Sequence, residues 1–365
     1  MSASSIFVKQ NASALKGRGT SLNPASRFEI AENVAFDDGW DTQDEDDKPR
    51  TTLIKDATRT IITRNDSPDI GFNSSINPYR GCEHGCIYCF ARPSHAYLGF
   101  SAGLDFETKI IFKPDAPRLL EKELSRSSYK AETLVLGSNT DPYQPAERTL
   151  GLTRAILEVL EKFNHPVSII TKSANIMQDC DILSRMSAKN LARVHISITT
   201  LNARLARTME PRASSPHRRL ATISSLAQAG VKVGVMASPL IPGLNDAELE
   251  TILKNAAQAG ATSAATGLLR LPHELGHLFS DWLHKHVPER ASHVLSLIRQ
   301  TRAGELNKSD FQQRFQGTGT YAALLTQRFH QALTRLGLSK AEDALDVSQF
   351  RAPDRQPTHL QMNLF

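Results

Sequence analysis

The sequence predicts an α/β fold, a partial (β/α)6 TIM-like barrel carrying an N-terminal extension and C-terminal helices. Three observations lead there. From about Ile76, short apolar runs alternate with amphipathic helical windows. The alternation repeats about six times, fewer than the eight units of a closed barrel. After Leu271 the pattern is helical only. Strand then helix, repeated, sets parallel strands side by side with right-handed crossovers.

The elements follow in order. Residues 1–65 read as a partly flexible extension, because no apolar periodicity is sustained there. A strand just before the cysteine cluster begins the core, which spans 66–272. Lys109–Lys113 reads as a strand outside the main series. Thr133–Gly137, Val167–Thr171, Val194–Thr199, Val231–Ala237 and Ser263–Leu269 read as buried strands. Arg148–Phe163 carries Leu152, Ile156, Leu157 and Leu160 on one helical face. Arg218–Ala229 carries Leu220, Ile223 and Leu226, and Asp246–Ala259 carries Leu249, Ile252 and Leu253, with Asn245 or Asp246 placed as a cap. Residues 273–365 form the helical region and tail, with helices expected near Glu274–His286, Arg290–Arg302, Lys308–Phe315 and Ala322–Leu336.

Composition narrows the class. With 40% hydrophobic and 22% charged residues, the chain is not broadly disordered. No run approaches the roughly 18–20 apolar residues of a membrane span, so no membrane partner is expected. Met1–Ser21 has no apolar secretory core, and a cytoplasmic location is the expectation. The net charge is +5, but Asp37–Asp47 holds seven acids and no base; the rest has 43 bases against 31 acids. A cationic body of this kind fits a polyanionic partner such as nucleic acid, and equally an ordinary basic protein with a solvated acidic loop.

Three of the four cysteines fall within eight residues. Asn77-Pro78-Tyr79-Arg80-Gly81-Cys82-Glu83-His84-Gly85-Cys86-Ile87-Tyr88-Cys89 has the spacing C-x3-C-x2-C. Gly81 and Gly85 allow a short loop to wrap, so three soft thiolates can converge on an inorganic core. A four-iron cluster usually takes four cysteines, so three would leave one iron open. A zinc knuckle completed by His84 or His95 is the alternative. Cys180 stands alone and reads as a core residue.

Ligands of such folds sit at the C-terminal ends of the strands. That rule nominates Gly137, Ser138 and Asn139 after the second strand, Lys172 after the third, and Ser197 and Thr199 on one face of the fourth. Glu210, followed by Arg212, Arg218 and Arg219, is a candidate ion-pair member, buried beside the site or exposed on the surface. His273-Glu274-Leu275-Gly276-His277 matches the zincin pattern H-E-x-x-H. Gly276 weakens that turn, and Ser280 and Leu283 stand where the extended metzincin motif needs glycine and histidine. It reads as an ordinary helix start.

The cysteine spacing, with Tyr88 as the aromatic residue before the last cysteine, is the signature of the radical SAM superfamily. The run Ile76–Gly99, with Ser138–Pro145, Thr171–Ser173, Glu210–Arg212, Pro239–Asp246, Gly17-Arg18-Gly19 and Asp38-Gly39-Trp40, resembles the bacterial radical SAM proteins described as DNA repair photolyase-like, relatives of spore photoproduct lyase. The resemblance covers about residues 15–338. It implies a partial barrel of radical SAM type and a [4Fe–4S] cluster on Cys82, Cys86 and Cys89. S-adenosylmethionine would lie near Tyr88, Gly137, Ser138, Asn139, Lys172, Ser197 and Thr199. It further implies an external one-electron reductant such as flavodoxin or ferredoxin, and reductive cleavage to a 5′-deoxyadenosyl radical acting on nucleic acid. A non-catalytic iron–sulfur nucleic-acid-binding or sensing protein is the alternative. One departure stands out. The lyase carries a hydrogen-donating cysteine in a Ser-Cys-Thr context, where this chain has Ser138-Asn139-Thr140. Tyr79, Tyr97 and Tyr143 are then candidate radical relays.

Overall fold

The computed structural model describes residues 15–28, 49–340 and 344–352. The acidic strip Asp37–Asp47 and the Asp38-Gly39-Trp40 match lie outside the described residues. Six parallel strands form the main sheet: β1 Ser74–Ile76, β2 Leu134–Leu136, β3 Val167–Thr171, β4 Ala192–Ser197, β5 Lys232–Leu240 and β6 Ser263–Leu268. They lie in sequential order, each paired parallel with the next, and Ile62–Arg64 adds an antiparallel edge beside β1. Among the described residues β1 and β6 do not pair, so the sheet stays open. The predicted six-unit count and open edge are what the chain forms.

The longer helices between the strands are α1 Ala116–Leu124, α2 Leu152–Lys162, α3 Cys180–Ala188, α4 Pro216–Gln228 and α5 Leu249–Gln258. Their predicted apolar faces are buried in one core with the strands, Leu220 only partly, except that Leu152 packs with Tyr79, Ile110 and Phe112 of a smaller cluster. Covered on both faces, β2 and most of β3 read as apolar runs, whereas β4 alternates, with Arg193, His195 and Ser197 between Ala192, Val194 and Ile196. Three longer helices follow: α6 Leu275–His286, α7 Pro288–Gln300 and α8 Gly319–Leu336. α8 joins the main core through Ala322, Leu325 and Phe329. α6 and α7 build a second core with Ile87, Tyr88 and Met209, and so pack against the cysteine loop.

Some expectations need correction. The window Arg148–Phe163 is two helices, because Gly151 at φ +60° ends Glu147–Leu150 before α2 begins. Lys308–Phe315 forms only one turn, Gln313–Gln316, with no buried residue to anchor a longer helix. Asn245 and Asp246 do not cap α5. Asn245 instead folds its own turn, accepting from the Ile241 N–H and donating to the Thr199 and Pro239 carbonyls, while Asp246 accepts from the Gly243 N–H and from Tyr321. Lys109–Phe112 does lie outside the series, in a three-stranded sheet with Thr52–Lys55 and Tyr79–Arg80.

Tyr79 in that small sheet donates a hydrogen bond to Glu147, which also accepts from the Thr153 N–H at 2.7 Å. Burial outweighs both donors and raises the Glu147 carboxyl to about 7. Its folded pKa lies above the unfolded value, so the folded state holds the proton longer. Stability therefore falls as pH rises from about 4.5 to about 7, by on the order of 2–3 kcal/mol, and levels off above. Urea unfolding across this range is expected to show that slope in the wild type and its loss in Glu147→Gln. Parallel curves for the two proteins would refute the assignment.

Candidate active site

The site is built on the loop Cys82–Cys89. Gly81 and Gly85 take φ of +80° and +66°, and a Cβ on Gly85 would sit 2.6 Å from Glu107 Oε2. Only glycine lets the loop press this closely onto its support. That support is a buried pair, Arg92 and Glu107, whose guanidinium donates to the carbonyls of Cys86 (2.8 Å), Gly85 (3.0 Å), Gly103 (2.9 Å) and Ala102 (3.3 Å). Glu107 in turn accepts from the Gly19 N–H at 2.9 Å, and Arg18 donates to the Glu107 carbonyl at 2.9 Å. The Gly17-Arg18-Gly19 segment is thus a clamp on the back of the loop.

The front of the loop meets the C-terminal ends of the strands. Asp141, after β2, accepts from the Thr171 hydroxyl (2.7 Å) and the Lys172 N–H (2.7 Å), and faces His84 Nδ1 at 3.3 Å. Burial alone would raise this carboxyl, but His84 and the donors hold it down at about 2. The Ile87 N–H donates to the Met209 carbonyl at 3.0 Å and the Arg212 N–H to His84 at 3.3 Å. Tyr88 hydroxyl lies 2.9 Å from Thr199 Oγ1 and donates to Glu210. Glu210 pairs with Arg219, both essentially fully buried, and Arg219 also donates to the Ser197 carbonyl at 3.0 Å. Burial would raise Glu210 as well; Arg219 and Lys172 bring it to about 2. The buried partner is Arg219 rather than Arg212, which pairs with Glu83 at 2.8 Å.

The nominated residues fall into three groups. Lys172 Nζ donates to Ser197 Oγ at 2.9 Å and lies 5.7 Å from the Tyr88 ring centre, so Tyr88, Lys172, Ser197 and Thr199 form one network. Ser138 and Asn139 stand apart, tied to Asn77: Asn77 Nδ2 donates to Ser138 Oγ at 3.1 Å, and the Asn139 N–H donates to Asn77 Oδ1 at 3.0 Å. Gly137 has its own packing reason, since a Cβ there would lie 2.2 Å from the Ile170 carbonyl.

The zincin-like run forms no paired-histidine face. α6 begins only at Leu275, His273 has φ +51°, and Glu274 is held by Arg27 at 2.8 and 2.9 Å. Cys180 opens α3, packed against the core. Tyr79 and Tyr143 are buried against Glu147 and Asp179, and Tyr97 is exposed beside Phe28.

The donor set fits an iron–sulfur cluster. Cys82, Cys86 and Cys89 are free thiols, and burial raises all three, Cys86 to about 12. Soft metal is the partner that holds such thiols as thiolates. Among the described residues no three His, Cys, Asp or Glu side chains meet as ligands of one ion do.

Comparison with known proteins agrees. Residues 76–256 match the family model described as the radical SAM superfamily. An uncharacterized protein of Mycobacterium tuberculosis is 36% identical over 231 residues, 63% of this chain and 68% of its own length. The chain belongs to the radical SAM superfamily. Radical SAM proteins use a [4Fe–4S] cluster and S-adenosylmethionine. A radical SAM Nalpha-GlyT isomerase of Pseudomonas phage M6 is 21% identical, covering 62% of this radical SAM protein and 46% of the isomerase. Spore photoproduct lyase complexed with dinucleoside spore photoproduct shares the fold, with TM-score 0.58 and 15% identity over 78% of this chain and 80% of the lyase. A mutant lyase with bound AdoMet and the same dinucleoside gives TM-score 0.57. No helix among the described residues is long and apolar enough to cross a membrane.

Proposed function

We propose that this protein is an enzyme that cleaves S-adenosylmethionine reductively and acts on nucleic acid, with Cys82, Cys86 and Cys89 holding its cluster. The observation that carries the reading is the seating of the three-cysteine loop on a polar network at the strand ends. When bound, the cluster and S-adenosylmethionine supply the electron and the 5′-deoxyadenosyl radical. The chain's part is to position and shield. Lys172 offers an ammonium for a carboxylate, and Ser197 and Thr199 offer hydroxyls for ribose. Glu210, held by Arg219, fixes Tyr88 as a wall for a flat ring, and Gly137, Ser138 and Asn139 at the end of β2 are the further residues proposed for the cofactor. The helices α6 and α7 close the loop from water.

The fold shared with a lyase bound to a dinucleoside lesion, and the cationic body, support a nucleic-acid substrate. Asn139 lacks the weak S–H bond of a thiol, so hydrogen return to a substrate radical takes another route than the lyase cysteine. Flavodoxin or ferredoxin is the reductant class proposed.

Anaerobic protein loaded with iron and sulfide, given dithionite and S-adenosylmethionine, is expected to release 5′-deoxyadenosine. None from a fully loaded cluster would leave the non-catalytic iron–sulfur reading. Lys172→Met is expected to keep the cluster spectrum while weakening S-adenosylmethionine binding about tenfold or more, the worth of a lost charge-assisted hydrogen bond. An unchanged dissociation constant by equilibrium dialysis would remove Lys172 from the site.

A further inference from the structure

A second constellation lies just outside this network, on the open side of the sheet. Arg270 follows β6 by two residues, at the C-terminal end that carries the site, and Phe90 directly follows Cys89. The Arg270 guanidinium lies over the Phe90 ring at 5.7 Å and over the Phe315 ring at 5.0 Å. Arg314 lies over Phe315 and Phe311, each at 5.0 Å. Aromatic rings and guanidinium planes thus alternate from the cysteine loop outward. The outer rings are exposed, Phe90 to 45% and Phe311 to 56%.

The charges here are unbalanced. The carboxylate facing this group, Asp69, is taken by Arg314 through Nε at 2.7 Å and through Nη2. Arg302 is buried and donates through Nη1 and Nη2 to the carbonyls of Gln313, Leu268 and Leu269, while its Nε is buried without a partner. Arg270 makes no hydrogen bond or ion pair among the described residues, and its Nε is buried without a partner. Burial, then Arg314, depresses it, and burial with Arg270 brings Arg302 down to about 10. The two rings lie against the Arg270 guanidinium, its Nε is buried, and its two Nη groups, which have no hydrogen-bond partner among the described residues, form the edge left for a ligand. That edge matches an oxyanion in bidentate geometry, and an arriving anion relieves the repulsion among three arginines. Exposed rings on either side add stacking surface for unpaired bases.

We infer that Arg270, held between Phe90 and Phe315, receives a backbone phosphate of single-stranded nucleic acid while Phe90 and Phe311 stack its bases. The inference rests on the nucleic-acid reading above and gives that substrate its strandedness and its contact residues. Binding by a fluorescein-labelled thymidine decamer, followed by anisotropy on the anaerobic, iron-loaded full chain at low salt, tests it. Arg270→Ala is expected to weaken binding tenfold or more, Arg270→Lys less, and Phe311→Ala several-fold. Thymidine 5′-monophosphate is expected to compete and thymidine not. Phe311 is exposed, so its variant keeps the test open should Arg270→Ala fail to fold. Three results would each overturn the inference: wild-type affinity in Arg270→Ala and Phe311→Ala, no decamer binding by the wild type, or competition by acetate equal to that of the nucleotide. The assay needs neither S-adenosylmethionine nor reductant. A protein that releases 5′-deoxyadenosine but ignores the decamer loses this inference alone; one that binds the decamer but releases none loses the enzymatic reading.

Discussion

Cys86→Ala protein, reconstituted anaerobically with iron and sulfide, is expected to show no cluster absorbance and to release 5′-deoxyadenosine only at background. The effect is the largest open to a single substitution, because among the described residues no spare thiol stands in the loop. Cys82 and Cys89 are the other thiols of the loop, and Cys180 lies at the start of α3 on the core. The flanking groups are already engaged: His84 faces Asp141 and Glu83 holds Arg212. The apo fold is expected to survive, since alanine removes a thiol that burial keeps neutral and makes only a small void. Iron content and absorbance therefore separate lost ligation from lost folding, with Cys180→Ala as the control that keeps both. Full iron loading and 5′-deoxyadenosine release by Cys86→Ala would end the assignment of the loop as the cluster site.

How much of this was legible in the sequence follows from the range of each interaction. The strands and helices were readable because burial on one face or two leaves a period in the chain, as in Leu152, Ile156, Leu157 and Leu160 of α2. The cysteines were readable because their chemistry and spacing are local. Lys172, Ser197 and Thr199 are nominated by the strand-end rule, and the structure joins them to Tyr88 in one hydrogen-bonded network. Asp141 and Asn77 were not singled out, though each organises part of the site. Their partners are 30 to 62 residues away in sequence, and no periodicity marks a side chain whose value lies in distant donors. The choice of Arg219 over Arg212 for Glu210 had the same cause: only the course of α4 decides which arginine points inward. The aromatic and arginine series at Phe90, Arg270 and Phe315 joins three segments that nothing in the sequence links.

Arg92 was another residue without a local signal, and its loss is expected to be the most damaging to the fold of the site. Arg92→Ala would strand Glu107 as a fully buried carboxylate and leave the carbonyls of Gly85, Cys86, Ala102 and Gly103 without that donor. Breaking a buried pair by removing one partner costs about 3–5 kcal/mol. Replacing both partners by apolar groups is often neutral elsewhere, but not here. An Arg92→Met, Glu107→Leu double variant still deprives those carbonyls and the Gly19 N–H of partners. Arg92→Lys is also expected to fail, since one ammonium cannot reach the points that the planar fork spans. The measurement is urea unfolding of the metal-free chain, paired with iron retained after gel filtration of loaded protein. All three variants should unfold at lower urea than the wild type and lose iron during filtration. Because the guanidinium holds the backbone of Gly85 and Cys86, the cluster loop should loosen before the main sheet does, as faster amide exchange confined to residues near 82–92. A wild-type unfolding midpoint in Arg92→Ala, with iron retained, would show that the loop is held by something other than this pair.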